Sequence, residues 1–242
     1  MKFVRYKSRI EAGILLFEFI KNENKRLYDF INENKGNCFC FAIPNGGVPV
    51  TEGFCSQNNL NYDILIVRKI KIPNNTEAGF GSVTTDGTIL INEKLLSRLN
   101  LSEKAVNNSI ELTKTEIRER LKFYNKEFVL EKFYTHHIQR RHIFILDDGL
   151  ASGFTMLAAI NMIKKYNPEK IYIAIPTAPL RTVNNIKTEV NDIFCPNVRD
   201  VLWFAVADAY KNWYDVPESE VLEIINNSKF YITETVIEDS LV

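Results

Sequence analysis

Short, continuous apolar runs recur along the chain, and each is followed by a loop or by helical spacing. The clearest runs lie at residues 38–43, 62–70, 142–146 and 171–175, and one more lies at either 192–195 or 201–205. A run of this length that does not alternate with polar residues is typical of a strand buried on both faces. The pattern therefore predicts a mostly parallel sheet built from these runs.

Helical spacing of apolar residues fills the segments between the runs. Ser8 and Glu11 form a capping box before a first helix, and a second short helix is expected within residues 21–35. Further helices are predicted at 48–57, 153–165, 182–190 and 218–225. Strands that alternate with helices favour an α/β fold with a doubly wound, mostly parallel sheet.

Residues 71–130 interrupt this alternation. Turn-forming residues at 73–75 and 85–88, with glycines between them, predict a mobile loop and then a two-stranded β-hairpin. We interpret the loop as a lid over a ligand, and the alternative is a rigid hairpin packed on the edge of the sheet. Ser102 then caps a long helix with apolar positions at 106, 110, 117, 121 and 128, and Glu116 and Arg120 are expected to pair on its wet face. We predict one domain over residues 1–242, with a loop and hairpin at 71–92 and a helical insertion at about 93–130.

Composition and charge narrow the functional classes. The 30 basic residues balance the 30 acidic ones, so no basic excess points to a nucleic-acid partner. No apolar run reaches the roughly 18 residues that a membrane span needs, and the N-terminus lacks a signal-peptide pattern. We therefore expect a cytoplasmic protein without a membrane partner. Cys38 and Cys40 should share one face of a strand, and with Cys55 and Cys195 we interpret them as buried apolar residues rather than metal ligands.

The strongest candidate site follows the run at 142–146. Two carboxylates, Asp147 and Asp148, come directly after it, and a loop of small residues then opens a helix. That loop and helix start consist of Ala151, Ser152, Gly153, Phe154 and Thr155. Small residues let backbone N–H groups approach an anion, and the hydroxyl groups can donate to a phosphate oxygen. The carboxylates would repel that phosphate, so they indicate sugar hydroxyls or a magnesium ion beside it, and a phosphorylated sugar satisfies both halves.

Two other predicted strand ends carry unusual chemistry. One run ends in Pro44, Asn45, Gly46, Gly47 and Val48, and the next ends near Arg68 and Lys69. Because ligands of doubly wound sheets bind outside the carboxyl ends of the strands, we expect these residues to lie near the two carboxylates.

Residues 143–155, Ile-Phe-Ile-Leu-Asp-Asp-Gly-Leu-Ala-Ser-Gly-Phe-Thr, resemble the phosphoribosyl pyrophosphate signature of type I phosphoribosyltransferases. That signature has four apolar residues, two acidic residues, three variable ones and then Thr-Gly-x-Thr. Ser152 replaces the first Thr and keeps its hydroxyl. Shorter landmarks extend the resemblance to a branch of predicted phosphoribosyltransferases. They lie at residues 9–13, 44–50, 67–69, 79–83 and 174–179, and at Trp213 and Tyr214.

The resemblance implies a reaction and a role for each candidate residue. Phosphoribose would pass from 5-phosphoribosyl 1-pyrophosphate to a nitrogenous acceptor such as a nucleobase, with pyrophosphate as product. Mg²⁺ would be the cofactor, held mainly by the substrate and water rather than by protein ligands. Asp147 and Asp148 would bind the ribose hydroxyls, and residues 151–155 would hold the 5′-phosphate. Residues 45–48 would bind pyrophosphate, with Arg68 and Lys69 adding positive charge. The family loop usually has Arg at the position of Asn45.

Several alternatives stay open at this stage. The same fold could serve a non-catalytic sensor that binds a phosphoribosyl or nucleotide ligand and regulates a partner. A third alternative is a hydrolase of the same ligand, but the sequence shows no evident nucleophile for it. The chain could also form a homo-oligomer. His136, His137 and His142 are interpreted as solvated loop residues. Trp203 and Phe204 are predicted to pack in the core, whereas Trp213 and Tyr214 could pack there or stack on a base.

Overall fold

A five-stranded parallel sheet forms the centre of the computed structural model, which describes residues 3–126 and 130–232 apart from the side chains of residues 76, 77 and 130. The strands are β1 (Cys38–Ala42), β2 (Tyr62–Ile64), β6 (His142–Leu146), β7 (Lys170–Ala174) and β9 (Asp192–Phe194). Their order across the sheet is β2-β1-β6-β7-β9. The predicted doubly wound α/β fold is therefore confirmed. No helix in the described ranges is both long and apolar enough to cross a membrane.

Helices cover both faces of this sheet and enclose two hydrophobic cores. One face carries α1 (Arg9–Glu23), α2 (Lys25–Glu33), α3 (Gly47–Ser56) and α9 (Glu218–Asn227), and the other carries α6 (Leu130–Ile138), α7 (Phe154–Lys164) and α8 (Leu180–Lys187). Alternate residues of β1 point to the two cores, as the strand pleat requires. Cys38 and Cys40 thus share one face, as predicted, and all four cysteines are buried and free.

The run at 62–70 was predicted as one strand, but the chain divides it between two sheets. β2 ends at Ile64, and β3 (Val67–Ile72) pairs antiparallel with β4 (Asn75–Thr84). The break falls at Ile66, whose N–H donates to Thr85 Oγ1 at 2.7 Å and whose carbonyl accepts from the same hydroxyl at 3.1 Å. A side chain thereby satisfies the backbone where the strand leaves the parallel sheet.

The hairpin region is more ordered than the glycines and turn residues suggested. β4 pairs with β5 (Ile89–Ile91), and Gly87 in the turn between them has a φ of 85°. The predicted hairpin turn is therefore present, but the predicted loop before it is wrong. Residues 75–84 form a strand that β3 and β5 flank on both sides.

Helices α4 (Glu93–Leu99) and α5 (Glu103–Phe123) follow the hairpin. Ser102 caps α5 as expected, since its Oγ accepts from the N–H of Ala105 at 3.2 Å. Ile117 and Leu121 on the predicted apolar stripe are buried against the core, whereas Phe128 lies outside the described residues. The helix packs on the antiparallel sheet and ends close to the loop after β1.

Smaller elements complete the fold and correct other predictions. The segment at 201–205 is not a strand; instead β8 (Thr177–Pro179) pairs with β10 (Asn197–Arg199), and short 3-10 helices lie at Lys35–Asn37 and Val206–Ala209. Trp203 was predicted to pack in the core, yet it is 90% exposed. His136 and His137 lie in the last turn of α6 rather than in a loop, and His137 packs 4.5 Å from the ring centroid of Phe39.

Candidate functional site

The loops that follow β1 and β6 lie against each other because these two strands are neighbours in register, with Ala42 opposite Leu146. A side chain on Gly46 would overlap the carboxylate of Asp148, and a Cβ on Gly47 would lie 2.9 Å from the Leu146 carbonyl oxygen. Only glycine permits this approach. The structure thus brings the predicted pyrophosphate loop and the predicted ribose-binding carboxylates together.

Asp147 and Asp148 are both half-buried at the carboxyl end of β6. The N–H of Asp148 donates to Asp147 Oδ1 at 2.8 Å, and Asp148 Oδ2 accepts from Arg9 Nε at 2.8 Å. Burial raises the pKa of both carboxyl groups, and repulsion by Asp148 raises the pKa of Asp147 further. Arg9 opposes the rise in the pKa of Asp148. Burial thus disfavours the charged form of Asp147, and a bound cation or hydroxyl donors would stabilise that form.

Arg9 is a site residue that the sequence indicated only as a landmark. Its side chain is 5% exposed at the start of α1, and its Nη2 donates to the Tyr214 carbonyl at 3.0 Å. The guanidinium lies 4.2 Å from the ring centroid of Trp213 and 5.4 Å from that of Tyr210. Tyr210 also donates from its hydroxyl to the Asp148 carbonyl at 2.7 Å. Trp213 and Tyr214 therefore pack against the guanidinium of Arg9, which binds Asp148.

The loop between β6 and α7 has the form of an anion site. Gly153 adopts a φ of 77° immediately before the helix, and a Cβ there would lie 2.7 Å from side-chain atoms of Thr182 and Ile186. Ala151, Ser152 and Thr155 are exposed around the N-terminus of α7, where backbone N–H groups have no helical partner. Thr182, which the sequence did not indicate, donates from Oγ1 to the Ala151 carbonyl at 2.6 Å. This contact ties the loop to α8.

Arg68 and Lys69 lie on β3, in the antiparallel sheet rather than at a parallel strand end. Their side chains diverge, as neighbours on a strand do. The Arg68 side chain is 29% exposed and lies 4.0 Å from the Glu218 carboxylate, whereas the Lys69 alkyl chain packs at Gly79. The structure therefore relates Arg68 to the start of α9 and places Lys69 along the hairpin.

Asn45 is joined to two remote parts of the chain. Its Nδ2 donates to the Val216 carbonyl at 2.7 Å, and its Oδ1 accepts from Arg120 Nη1 at 3.0 Å. Arg120 Nη2 also contacts the carboxylate of Glu218. The predicted pair between Glu116 and Arg120 is wrong, because Glu116 pairs with Lys71 at 3.0 Å and Arg120 turns inward to 18% exposure.

Comparison with known proteins places this arrangement in context. The family model of the phosphoribosyl transferase domain matches residues 18–212. A Mycobacterium tuberculosis protein named "Putative phosphoribosyl transferase Rv0571c" is 25% identical over 191 residues, which are 77% of this chain and 41% of that protein. The chain thus spans about two fifths of the length of this relative.

Two further similarities cover different shares of the chain. Uracil phosphoribosyltransferase of Ureaplasma parvum is 36% identical over 74 residues, which are 29% of this chain and 35% of that protein. The crystal structure of TT1426 from Thermus thermophilus superimposes with a TM-score of 0.69 at 21% identity, and the match covers 91% of this chain and 97% of that one. This last likeness concerns the fold.

Proposed function

Because this chain belongs to the phosphoribosyl transferase domain family, whose model spans residues 18–212, we propose that it transfers phosphoribose from 5-phosphoribosyl 1-pyrophosphate to a nitrogenous acceptor. The observation that carries the proposal is the contact between two loops. Gly46 lies against the carboxylate of Asp148, so the loop assigned to pyrophosphate and the residues assigned to ribose border one space.

We assign each group of the substrate to one part of this space. The 5′-phosphate would accept from backbone N–H groups of residues 151–155 at the N-terminus of α7. The ribose hydroxyls would donate to Asp147 and Asp148, whose carboxylates are poorly solvated. Pyrophosphate would lie along residues 45–48. In this placement the anomeric carbon lies between the two loops.

The reaction follows from that placement. The bond between the anomeric carbon and the pyrophosphate oxygen breaks, and its electron pair leaves with pyrophosphate. The acceptor nitrogen donates its lone pair to the same carbon and then loses its proton to solvent. The chain contributes by holding the ribose and by stabilising charge on the leaving group, and neither role requires a protein nucleophile.

A magnesium ion fits the donor set at this site. Within residues 3–126 and 130–232, no three His, Cys, Asp or Glu side chains group together as a metal site. The ion would therefore be held by the substrate and water, with Asp147 and Asp148 as the nearby carboxylates. Mg²⁺ accepts such a site, since it prefers a few carboxylates completed by substrate oxygens and water. Burial raises the pKa of Asp147 because it removes water from the charged carboxylate. A nearby cation would stabilise that charge in place of water. When bound, the ion supplies positive charge to the departing pyrophosphate.

The test is incubation with Mg²⁺, phosphoribosyl pyrophosphate and a panel of nucleobases and amines, with pyrophosphate release as the readout. Release that depends on one acceptor, with a phosphoribosylated product of the expected mass, would support the transferase. Tight binding of the donor without turnover for any acceptor would contradict it and favour a sensor. The double variant Asp147→Asn with Asp148→Asn should release no pyrophosphate.

A further inference from the structure

The loop assigned to pyrophosphate carries no basic residue of its own. Residues 44–48 read Pro-Asn-Gly-Gly-Val. Pyrophosphate carries several negative charges, and guanidinium groups bind phosphate oxygens in pairs more strongly than neutral donors do. If the loop binds this leaving group, any positive charge that the protein adds to that of magnesium comes from elsewhere in the chain.

The structure provides a guanidinium at the loop from a remote helix. Arg120 lies in the last turn of α5, and its Nη1 donates to Asn45 Oδ1 at 3.0 Å. Asn45 directly precedes Gly46, so this contact sets Arg120 beside the loop at the point where the loop meets Asp148. The side chain is 18% exposed, so it is not sealed inside the core.

The second guanidinium near this point belongs to Arg68. Both it and Arg120 face the same oxygen, Oε1 of Glu218, at the start of α9. Arg68 is 4.0 Å away, and Arg120 is in direct contact. Two guanidiniums therefore converge on one carboxylate, and Glu218 is 37% exposed. A partly exposed ion pair of this kind is weak, so a more highly charged anion can replace the carboxylate.

We propose that Arg120, with Arg68, forms the cationic part of the pyrophosphate subsite, and that Glu218 holds the two guanidiniums until pyrophosphate displaces it. Asn45 acts as a positioning residue, because its amide binds Arg120 on one side and the Val216 carbonyl on the other. The proposal rests on the proposed function, since it assigns the cations of the same site.

The experiment measures inorganic pyrophosphate binding in the presence of Mg²⁺ by calorimetry, and ribose 5-phosphate binding as a separate probe. Arg120→Ala should weaken pyrophosphate binding about tenfold or more, the usual range for a charge-assisted pair. Binding of ribose 5-phosphate should not change. Glu218→Gln should strengthen pyrophosphate binding several-fold, since it removes the competing carboxylate.

Arg118→Ala is the matched control, because Arg118 lies on the exposed side of the same helix, where its Nη2 donates to Thr115 Oγ1 at 2.9 Å. It should leave both affinities unchanged. Should Arg120→Ala not fold, Arg120→Lys keeps the charge and loses the forked geometry, and about a threefold loss is expected.

The outcomes separate this proposal from the proposed function. Unchanged pyrophosphate affinity in the Arg120 variants, with normal ribose 5-phosphate binding, overturns the assignment of Arg120 and leaves the transferase standing. Weaker pyrophosphate binding in Glu218→Gln overturns the displacement by showing that Glu218 supports the site. If the unaltered protein binds neither probe, both proposals fail.

Discussion

The two loops of the candidate site are built in different ways. The loop between β6 and α7 is formed by consecutive residues, and its strand, carboxylates, small residues and helix follow one another within 142–164. The loop after β1 is short and depends on distant partners, because Asn45 binds Arg120 in α5 and the carbonyl of Val216 before α9. A local motif can thus be recognised from sequence, whereas a site assembled from remote segments needs the fold.

Asp148 contacts both loops. It belongs to the local motif, yet its carboxylate binds Arg9, 139 residues earlier in the chain, and lies against Gly46 in the other loop. If remote partners determine the site as much as the local motif does, substitutions at Arg9 and Gly46 should have larger effects than substitutions that disturb only the loop between β6 and α7.

The largest effect is expected for Arg9→Ala. The change leaves the half-buried Asp148 carboxylate without its cation and opens the space between Tyr210 and Trp213. Breaking a buried ion pair lowers the free energy of unfolding by about 3 kcal/mol, and urea denaturation should show a loss of that order. Arg5→Ala, on an exposed residue of the same segment, should lose almost nothing. Equal stability of the two variants would show that Arg9 does not hold the carboxylate.

A smaller loss of stability with a severe loss of function is expected for Gly46→Ala. The new methyl group meets the Asp148 carboxylate, which cannot turn away without losing Arg9, so overpacking should lower the free energy of unfolding by about 2 kcal/mol. Displacement of the two loops should reduce pyrophosphate release about a hundredfold, as misplacement of reacting groups does. Gly36→Ala is the matched control, because a Cβ there meets nothing within 4 Å. Full turnover in Gly46→Ala would separate this loop from the chemistry.

Replacement of the two neighbouring aspartates should change the stability at pH 7 in opposite directions, because only Asp148 pairs with Arg9. The pKa of Asp147 is raised above its ordinary value of 3.8, so its contribution to stability is fully present below that value and is lost as pH rises through the folded-state pKa. Asp147→Asn should therefore have a higher free energy of unfolding than the unaltered protein at pH 7 in urea denaturation, and the difference should vanish as the pH falls towards 3.8. Asp148→Asn should be destabilised at pH 7, since it removes the partner of buried Arg9. The same sign for both variants would contradict this assignment.

The predictions from sequence succeeded where neighbours in the chain determine the structure. Continuous apolar runs predicted β1, β6 and β7 because such runs are buried on both faces wherever the sheet places them. The run at 62–70 looked the same but was divided, since the hydroxyl of Thr85 satisfies the backbone of Ile66 from a distant hairpin. No local pattern carries that contact.

The candidate site shows the same limit. Helical spacing paired Arg120 with Glu116 at four residues, but tertiary structure pairs Arg120 with Asn45 and Glu218 instead. Trp203 was expected in the core because of its apolar surface, yet it follows a strand and is almost fully exposed. The apolar character of a bulky side chain is therefore not enough to predict that a loop residue is buried.

The smallest effect is expected for Thr182→Val, which tests the self-contained loop. Thr182 is buried, and its hydroxyl donates to the Ala151 carbonyl at 2.6 Å. This hydrogen bond joins the loop to α8. Valine keeps the shape and removes the donor, and Ala151 itself is exposed, so water can replace the lost partner and the free energy of unfolding should fall by no more than about 1 kcal/mol. Ribose 5-phosphate should bind with at most a few-fold weaker affinity in calorimetry, because the αL conformation of Gly153 and the start of α7 still shape the loop. Thr182→Ser, which retains the hydroxyl, is the control. A loss in Thr182→Val as large as that of Arg9→Ala would mean that the local loop also depends on a remote support, and the contrast between the two loops would no longer hold.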